Sequence, residues 1–332
     1  MKITKVTCYL ILVTLSIASF LISCNEIEEQ PIVKNSTIDP VDQVYPQLDT
    51  ENSRWFLFAS ANRPFGMVNL SPDTQLEGTW GSGYRYEIDT IKGFSHVHGW
   101  QLSGLSVMPV VIDSKNQKSI FKDFHSKFSH DEEEVSPGYH SVQLQRYGIK
   151  TELTSTKRVG FHRYTFKEGT KNAILLNLNG QFGPCETSNG KLAQISPTEF
   201  EGEFVVEPTS RKPKSNTVFF YITLNTPVEA FEKDIETGNY NLILTDTKEK
   251  VLMKASISYT SAKNAKKNMD AELPHWNFEE IVQESKTEWN DVLGRIKVEG
   301  GSDKAQKRFY TDLWHALQGR RTISDINGAY PD

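Results

Sequence analysis

Between positions 55 and 259 the chain repeats one pattern: short apolar runs, many alternating with polar residues, each broken within a few positions by Gly, Pro, Asn or Asp. A two-residue period sends successive side chains to opposite faces, so such a run can bury one face only as a strand. Closely spaced strands with turn residues between them predict an antiparallel β-sandwich. Val142 and Leu144 alternate with Gln143 and Gln145, and Ile149, Thr151 and Leu153 repeat the period up to the charged edge at Lys157 and Arg158. The runs Ala173-Ile174-Leu175-Leu176 and Val218-Phe219-Phe220-Tyr221-Ile222 are continuous instead, which fits strands covered on both sides and implies a core between two sheets. Further strands are predicted at Phe204-Val205-Val206, Leu242-Ile243-Leu244 and Ala255-Ser256-Ile257-Ser258-Tyr259.

Past position 262 the period changes. Phe278, Ile281, Val282, Ser285, Trp289, Val292 and Leu293 fall near one helical face, with Asn277 as N-cap, Glu280 three residues on and Gly294 at the far end. A second helix is predicted from Ser302, burying Phe309, Leu313, Ala316 and Leu317. Two helices cannot enclose an all-α core, so an α domain is expected to begin here and to be cut off at Asp332. The boundaries expected are a targeting segment over 1–24, a tether over 25–41, a sandwich over 42–262, a helical linker over 263–301 and the start of a truncated helical domain over 302–332.

The targeting segment follows from Lys2 and Lys5 ahead of a largely apolar run over 6–22, closed by Leu21-Ile22-Ser23-Cys24. It resembles a bacterial lipoprotein signal, with Cys24 as the residue that carries the lipid and places the protein at the outer membrane. Thr7, Thr14, Ser16 and Ser19 dilute the alternative, an uncleaved membrane span. Cys8 leaves with the signal and Cys185 is left without an intramolecular partner, so no disulfide framework is expected. Glu26, Glu28 and Glu29 resemble a surface-export signal and equally suit a solvated tether with Pro31 and Pro40. Cleavage brings the net charge to about -7, and no basic stripe offers itself to a nucleic-acid backbone.

Chemistry concentrates between positions 80 and 100. Trp80, Tyr84, Tyr86 and Trp100 supply flat faces of the kind that stack on the C–H surface of sugar rings, and His96, His98 and nearby glycines supply polar contacts to hydroxyls. Ordinary core packing would use the same aromatics. His96 and His98 share a strand face if the segment is extended, yet no third metal ligand can be named, and hydrogen-bonded histidines are the expectation. The chain has no Gly-x-Ser-x-Gly, no phosphate loop and no His-Glu-x-x-His, which removes the usual support for serine hydrolases, NTPases and zincins. Glycosidases need two carboxyls, and spacing alone selects no pair among 42 acidic residues.

Several longer motifs carry a resemblance. Pro64-Phe65-Gly66-Met67-Val68-Asn69-Leu70-Ser71-Pro72-Asp73-Thr74, Gly83-Tyr84-Arg85-Tyr86 and Gly93-Phe94-Ser95-His96-Val97-His98 resemble, in order, the N-terminal signatures of glycoside hydrolase family 92, the α-mannosidases. Pro137-Gly138-Tyr139, Glu152-Leu153-Thr154 and Gly160-Phe161-His162-Arg163-Tyr164-Thr165-Phe166 are similar to the segments that follow. Phe309-Tyr310-Thr311 and Ser324-Asp325-Ile326-Asn327-Gly328 resemble the entry to that family's helical domain, which adds Asp325 to the candidate carbohydrate contacts. The resemblance implies a supersandwich-like β domain joined by linker helices to an (α/α)6 barrel, and calcium-dependent exo-hydrolysis of α-mannosides with inversion. It places the catalytic acid, the base and most calcium ligands in the missing C-terminal part, so no residue here inherits those roles. Trp55-Phe56-Leu57-Phe58-Ala59-Ser60 replaces a commoner glycine-rich entry, and Trp100-Gln101 follows the His-x-His motif, which leaves the preferred linkage open. The expected partners are an α-mannoside glycan, the membrane through the lipid, and the missing catalytic part. A stand-alone glycan-binding lipoprotein without hydrolytic activity, and a structural surface protein, are the alternatives.

Overall fold

The computed structural model describes residues 38–51, 58–77, 83–99, 103–117, 119–245 and 250–331. Two large antiparallel sheets dominate. One has seven strands, in spatial order Ala61–Asn62, Asn69–Asp73, Gly93–His98, Ser103–Ile112, Lys171–Asn177, Tyr240–Leu244 and Val228–Lys233. The other has nine: Gly180–Phe182, Cys185–Ser196, Glu199–Val206, Asn216–Leu224, Lys250–Ser258, Val159–Thr165, Ile149–Ser155, Tyr139–Leu144 and Glu133–Ser136. Phe94, Val107, Leu175 and Leu242 of the first sheet and Leu153, Tyr164, Phe204 and Phe220 of the second share one buried core. This is the predicted sandwich, and the runs at 142–144, 149–153, 173–176, 204–206 and 242–244 lie inside its strands.

Three helices follow: α1 over Ala262–Glu272, α2 over Phe278–Leu293 and α3 over Asp303–Gln318. α1 was not foreseen as a separate helix. Its sequence is polar, and only Ala265 and Met269 reach inward to join Val159, Phe161 and Tyr221 on the outer face of the nine-stranded sheet. That cover explains the continuous run at 218–222, since Val218, Phe220 and Ile222 enter the main core while Tyr221 packs outward beneath α1. Lys254 is buried in the same layer. Its ammonium donates to the Leu273 carbonyl at 2.8 Å under the ring of Trp276, and burial lowers its pKa to about 8.

α2 begins as its capping signals predict. The Asn277 side chain accepts from the Glu280 amide and returns a bond to the Glu280 carboxylate. Arg63, almost wholly buried, ties the helix to the sandwich by donating to the Ile281 carbonyl, to Glu284 and to Ser155 O, and it pairs with Glu288 at 2.7 Å. Trp289 is fully buried and donates from its indole to Asn62 O at 2.8 Å.

α3 corrects the predicted face by one residue. Tyr310, Thr311, Trp314 and Gln318 are buried, whereas Phe309, Leu313 and Leu317 are half-buried and Ala316 is exposed. A polar anchor explains the rotation. Gln318 accepts from the Ala59 amide at 3.2 Å and donates to the Ala59 carbonyl at 3.1 Å, pairing with the backbone as a neighbouring strand would. The helices therefore need no bundle of their own, because Trp289 and Trp314 belong to the sandwich core.

Candidate functional site

The strand Gly93–His98 carries two histidines into different surroundings. His96 is fully buried. Its Nδ1 faces the Leu105 carbonyl at 2.8 Å and must donate to it, so Nε2 is left to accept from His162 Nε2 at 2.9 Å. His162 Nδ1 then accepts from the Tyr164 hydroxyl at 2.9 Å. Burial favours neutral rings here, lowering the pKa of His96 to about 4 and that of His162 well below the usual value.

His98, at the end of the same strand, has the opposite chemistry. Nδ1 lies 2.8 Å from the Asn69 carbonyl and Nε2 lies 2.7 Å from Asp73 Oδ1. Neither acceptor owns a proton, so both nitrogens donate and the ring is an imidazolium. Burial opposes that charge, but the Asp73 carboxylate and its hydrogen bond outweigh it and raise the pKa. Asp73 also accepts from the Ser95 hydroxyl. The two rings thus have no nitrogen lone pair to share between them with a metal.

Gly83 lies against this ion pair. Its φ is +101°, and a Cβ placed there would stand 3.1 Å from His98 Cδ2, so glycine is needed for both conformation and closeness. Gly83 follows Trp80-Gly81-Ser82, and His98 precedes Gly99-Trp100. The contact therefore joins the described residues that border the two tryptophan-bearing segments. Trp80 and Trp100 themselves lie outside the described residues, as does Cys24.

Downstream of Gly83 the two tyrosines separate. Tyr84 is 4% exposed, stacks on Phe58 with ring centroids 4.5 Å apart, and donates to Glu133 Oε2 at 2.9 Å. Burial, followed by the charge of Glu133, pushes its phenol pKa upward. Tyr86 is half-buried, with His130 stacked on one face of its ring at 3.9 Å and 5° between planes. Thr74 fixes the turn between them, accepting from the Arg85 amide at 2.7 Å and donating to the carbonyls of Gly83 and Arg85.

The segment after α3 crosses this wall. Arg321 donates to the His98 carbonyl at 2.5 Å and lies so close over Gly99 that a Cβ there would meet its guanidinium at 2.8 Å. Thr322 N donates to Phe65 O, and Ser324 O accepts from Arg158. Asp325 is 2% exposed, and its carboxylate accepts from Ser258 at 2.8 Å, Thr260 at 2.6 Å and Asn268 at 2.7 Å. The structure thus brings Gly83, His98 and Arg321 together, stacks Tyr86 on His130, and sets His96, Tyr84 and Asp325 in buried hydrogen-bonded networks. Sequence reasoning quoted Asp73 within a motif without a role, and it gave none to Arg321, His130 or Glu133. Their partners are distant in the chain, so no local spacing marks them.

The carboxylates around the wall are engaged by N–H and O–H donors: Asp73 by His98 and Ser95, Asp325 by three side chains, Glu133 by Tyr84 and its own neighbours. A hard cation needs several free oxygen ligands at one point. These residues do not fit calcium, and none of the three carboxyls is placed to trade protons with a substrate.

Comparison with known proteins agrees with this architecture. Residues 43–269 match the glycosyl hydrolase family 92 N-terminal domain, and residues 264–332 match the glycosyl hydrolase family 92 catalytic domain. Among solved structures, the family 92 α-mannosidase BT3965 from Bacteroides thetaiotaomicron superposes with a TM-score of 0.77 at 24% identity, covering 89% of this chain and 43% of that one. The same mannosidase in complex with mannoimidazole gives 0.75 at 25% identity, over 88% of this chain and 42% of that one. The family 92 inverting mannosidase BT2199 from Bacteroides thetaiotaomicron VPI-5482 gives 0.75 at 23% identity, over 88% and 41%. The chain thus spans about two fifths of the length of these relatives. No curated protein matches it significantly.

Proposed function

Because the chain belongs to glycosyl hydrolase family 92, we propose that it forms the glycan-facing wall of an exo-acting α-mannosidase. The observation that carries this reading is the contact of Gly83 with His98 beneath Arg321. It joins the residues that border the Trp80 and Trp100 segments, where Arg321, within the residues matching the catalytic domain, reaches the sandwich. Aromatic side chains next to a fixed contact are suited to stacking on a pyranose, and the buried His98–Asp73 pair is suited to fixing that contact. Trp80, Trp100 and Tyr86 are the proposed stacking residues, with Tyr84, His96, His98 and Asp325 supporting them from beneath.

In this reading the reaction is hydrolysis of an α-mannoside with inversion, and the general acid and base come from parts of the catalytic domain other than these residues. An inverting pair must face one sugar across a water, roughly 6.5 to 9.5 Å apart, whereas Asp73, Glu133 and Asp325 are each committed to buried donors. The calcium of the proposed mechanism likewise finds no fitting ligands in this wall. The same engagement favours a second reading, a glycan-binding surface lipoprotein that captures mannosides without cleaving them.

Calorimetric titration with methyl α-mannoside and methyl α-glucoside tests the binding role. Preference for the mannoside supports it, and equal or absent response to both removes it. We also propose that Cys24 carries a lipid that anchors the protein at the outer membrane. Cys24→Ser should abolish incorporation of radiolabelled fatty acid, and unchanged labelling would refute the anchor.

A further inference from the structure

Behind Tyr86 lies a side-chain cluster that the proposed function does not use. His130 sits in the 3-10 turn His130–Glu132, which Ser129 caps by accepting from the Asp131 amide. Besides stacking on Tyr86, its ring places Nε2 2.8 Å from the Tyr86 carbonyl and Nδ1 2.6 Å from Glu133 Oε2. One ring thus bridges the Tyr86 main chain and the Glu133 side chain.

The surroundings of Glu133 agree with an ionised carboxylate. Its side chain is fully buried, yet Oε2 also accepts from the Tyr84 hydroxyl and from Gln47 at 2.9 Å each, and Oε1 accepts from His140 Nε2 at 2.9 Å. His140 Nδ1 in turn lies 2.7 Å from the Ser60 hydroxyl. Burial alone would push Glu133 upward, but the bonds from His140 and His130 bring its pKa below the usual value. Phe128 closes the cluster edge-on to His130 at 5.1 Å, and Glu51 and Asp131 add negative charge around Tyr86.

We propose that His130, braced by Glu133, is the positioning residue of the glycan wall, clamping the ring of Tyr86 by parallel stacking and its main chain by a hydrogen bond. This rests on the reading of Tyr86 as a sugar contact. Tyr86 packs only partly against the core, yet it is held by its ring face and by its carbonyl from a single side chain. Such a clamp fixes the angle at which the phenol ring is offered to a pyranose.

The test uses the chain with ring-labelled tyrosine. In folded His130→Gln and His130→Ala chains, the Tyr86 ring resonances should move or broaden, and affinity for methyl α-mannoside should fall by about fivefold, the loss expected for one stacked ring contact. Unchanged Tyr86 resonances in a folded variant overturn the proposal. If the wild-type chain binds no mannoside while Tyr86 responds to removal of His130, the clamp stands and the glycan reading of Tyr86 falls.

Discussion

The guanidinium of Arg321 donates to the main-chain oxygen of His98 at 2.5 Å, which couples the first stretch beyond α3 to the end of the strand that holds the buried His98–Asp73 pair. The contact depends on Gly99, since a Cβ there would lie 2.8 Å from the guanidinium. The end of a flexible side chain can move aside, so Gly99→Ala should displace Arg321 rather than unfold the strand. We predict that Gly99→Ala and Arg321→Ala each cost about 1 to 2 kcal/mol, and that the double variant costs no more than Arg321→Ala alone. Additive losses in urea unfolding would show that the two residues do not act through one contact.

A tighter fit joins the sandwich to α2. Gly138 has φ +87°, and a Cβ there would fall 1.8 Å from Ser285 Oγ. Gly138→Ala should cost about 3 kcal/mol, and Ser285→Gly in the same chain should recover part of it, leaving the backbone strain of roughly 1 kcal/mol. No recovery in the melting temperature of the double variant would place the strain elsewhere.

Asp325 is expected to act on stability. Asp325→Ala leaves the buried donors of Ser258, Thr260 and Asn268 without their acceptor, a loss of about 3 kcal/mol or more. Chemical denaturation measures it directly. A loss under about 0.5 kcal/mol, the range of an ordinary surface change, would contradict the network.

Acid should weaken the fold before most carboxylates titrate. Burial lowers the pKa of His96 to about 4 and lowers those of His162 and His125, so below the unfolded value of about 6.5 the unfolded chain binds protons that the native chain refuses. Their stabilisation is complete above that value and is lost as pH falls toward 4, with His96 alone contributing on the order of 3 kcal/mol. His98 runs the other way, because its raised pKa gives stability that is present at low pH and lost as pH rises. His315, whose pKa burial lowers to about 3, acts in the same direction, so four lowered groups outweigh one raised group. The urea midpoint should therefore fall between pH 7 and pH 5, and His96→Gln should flatten the slope; a midpoint that rises over this window would contradict the assignment.

The sandwich was legible because alternation at Val142 to Leu153 and the solid runs at 173–176 and 218–222 report which strand faces are covered. Helix α2 announced itself through Asn277, Glu280 and a regular apolar stripe. α1 was hidden because Ala265 and Met269 are its only apolar inward residues, and the inward face of α3 was misjudged because Gln318, a polar residue, pairs with the backbone of Ala59. The candidate wall was visible only in part. Glycines and aromatics at 80–100 marked the region, but ring exposure is decided by partners far along the chain: Glu133 draws Tyr84 inward, His162 engages His96, and Arg321 reaches back more than two hundred residues to His98.

The account turns on whether a mannoside meets the wall built on Gly83, Tyr86 and His98. Two-dimensional NMR of the labelled chain, titrated with methyl α-mannoside, tests it most directly. The prediction is that perturbed resonances cluster at Gly83, Tyr86, Gly99 and the side chains of Trp80 and Trp100, and that Trp100→Ala abolishes them while leaving the rest of the spectrum in place. Perturbations that gather on the outer sheet around α1, or none at saturating sugar, would contradict it.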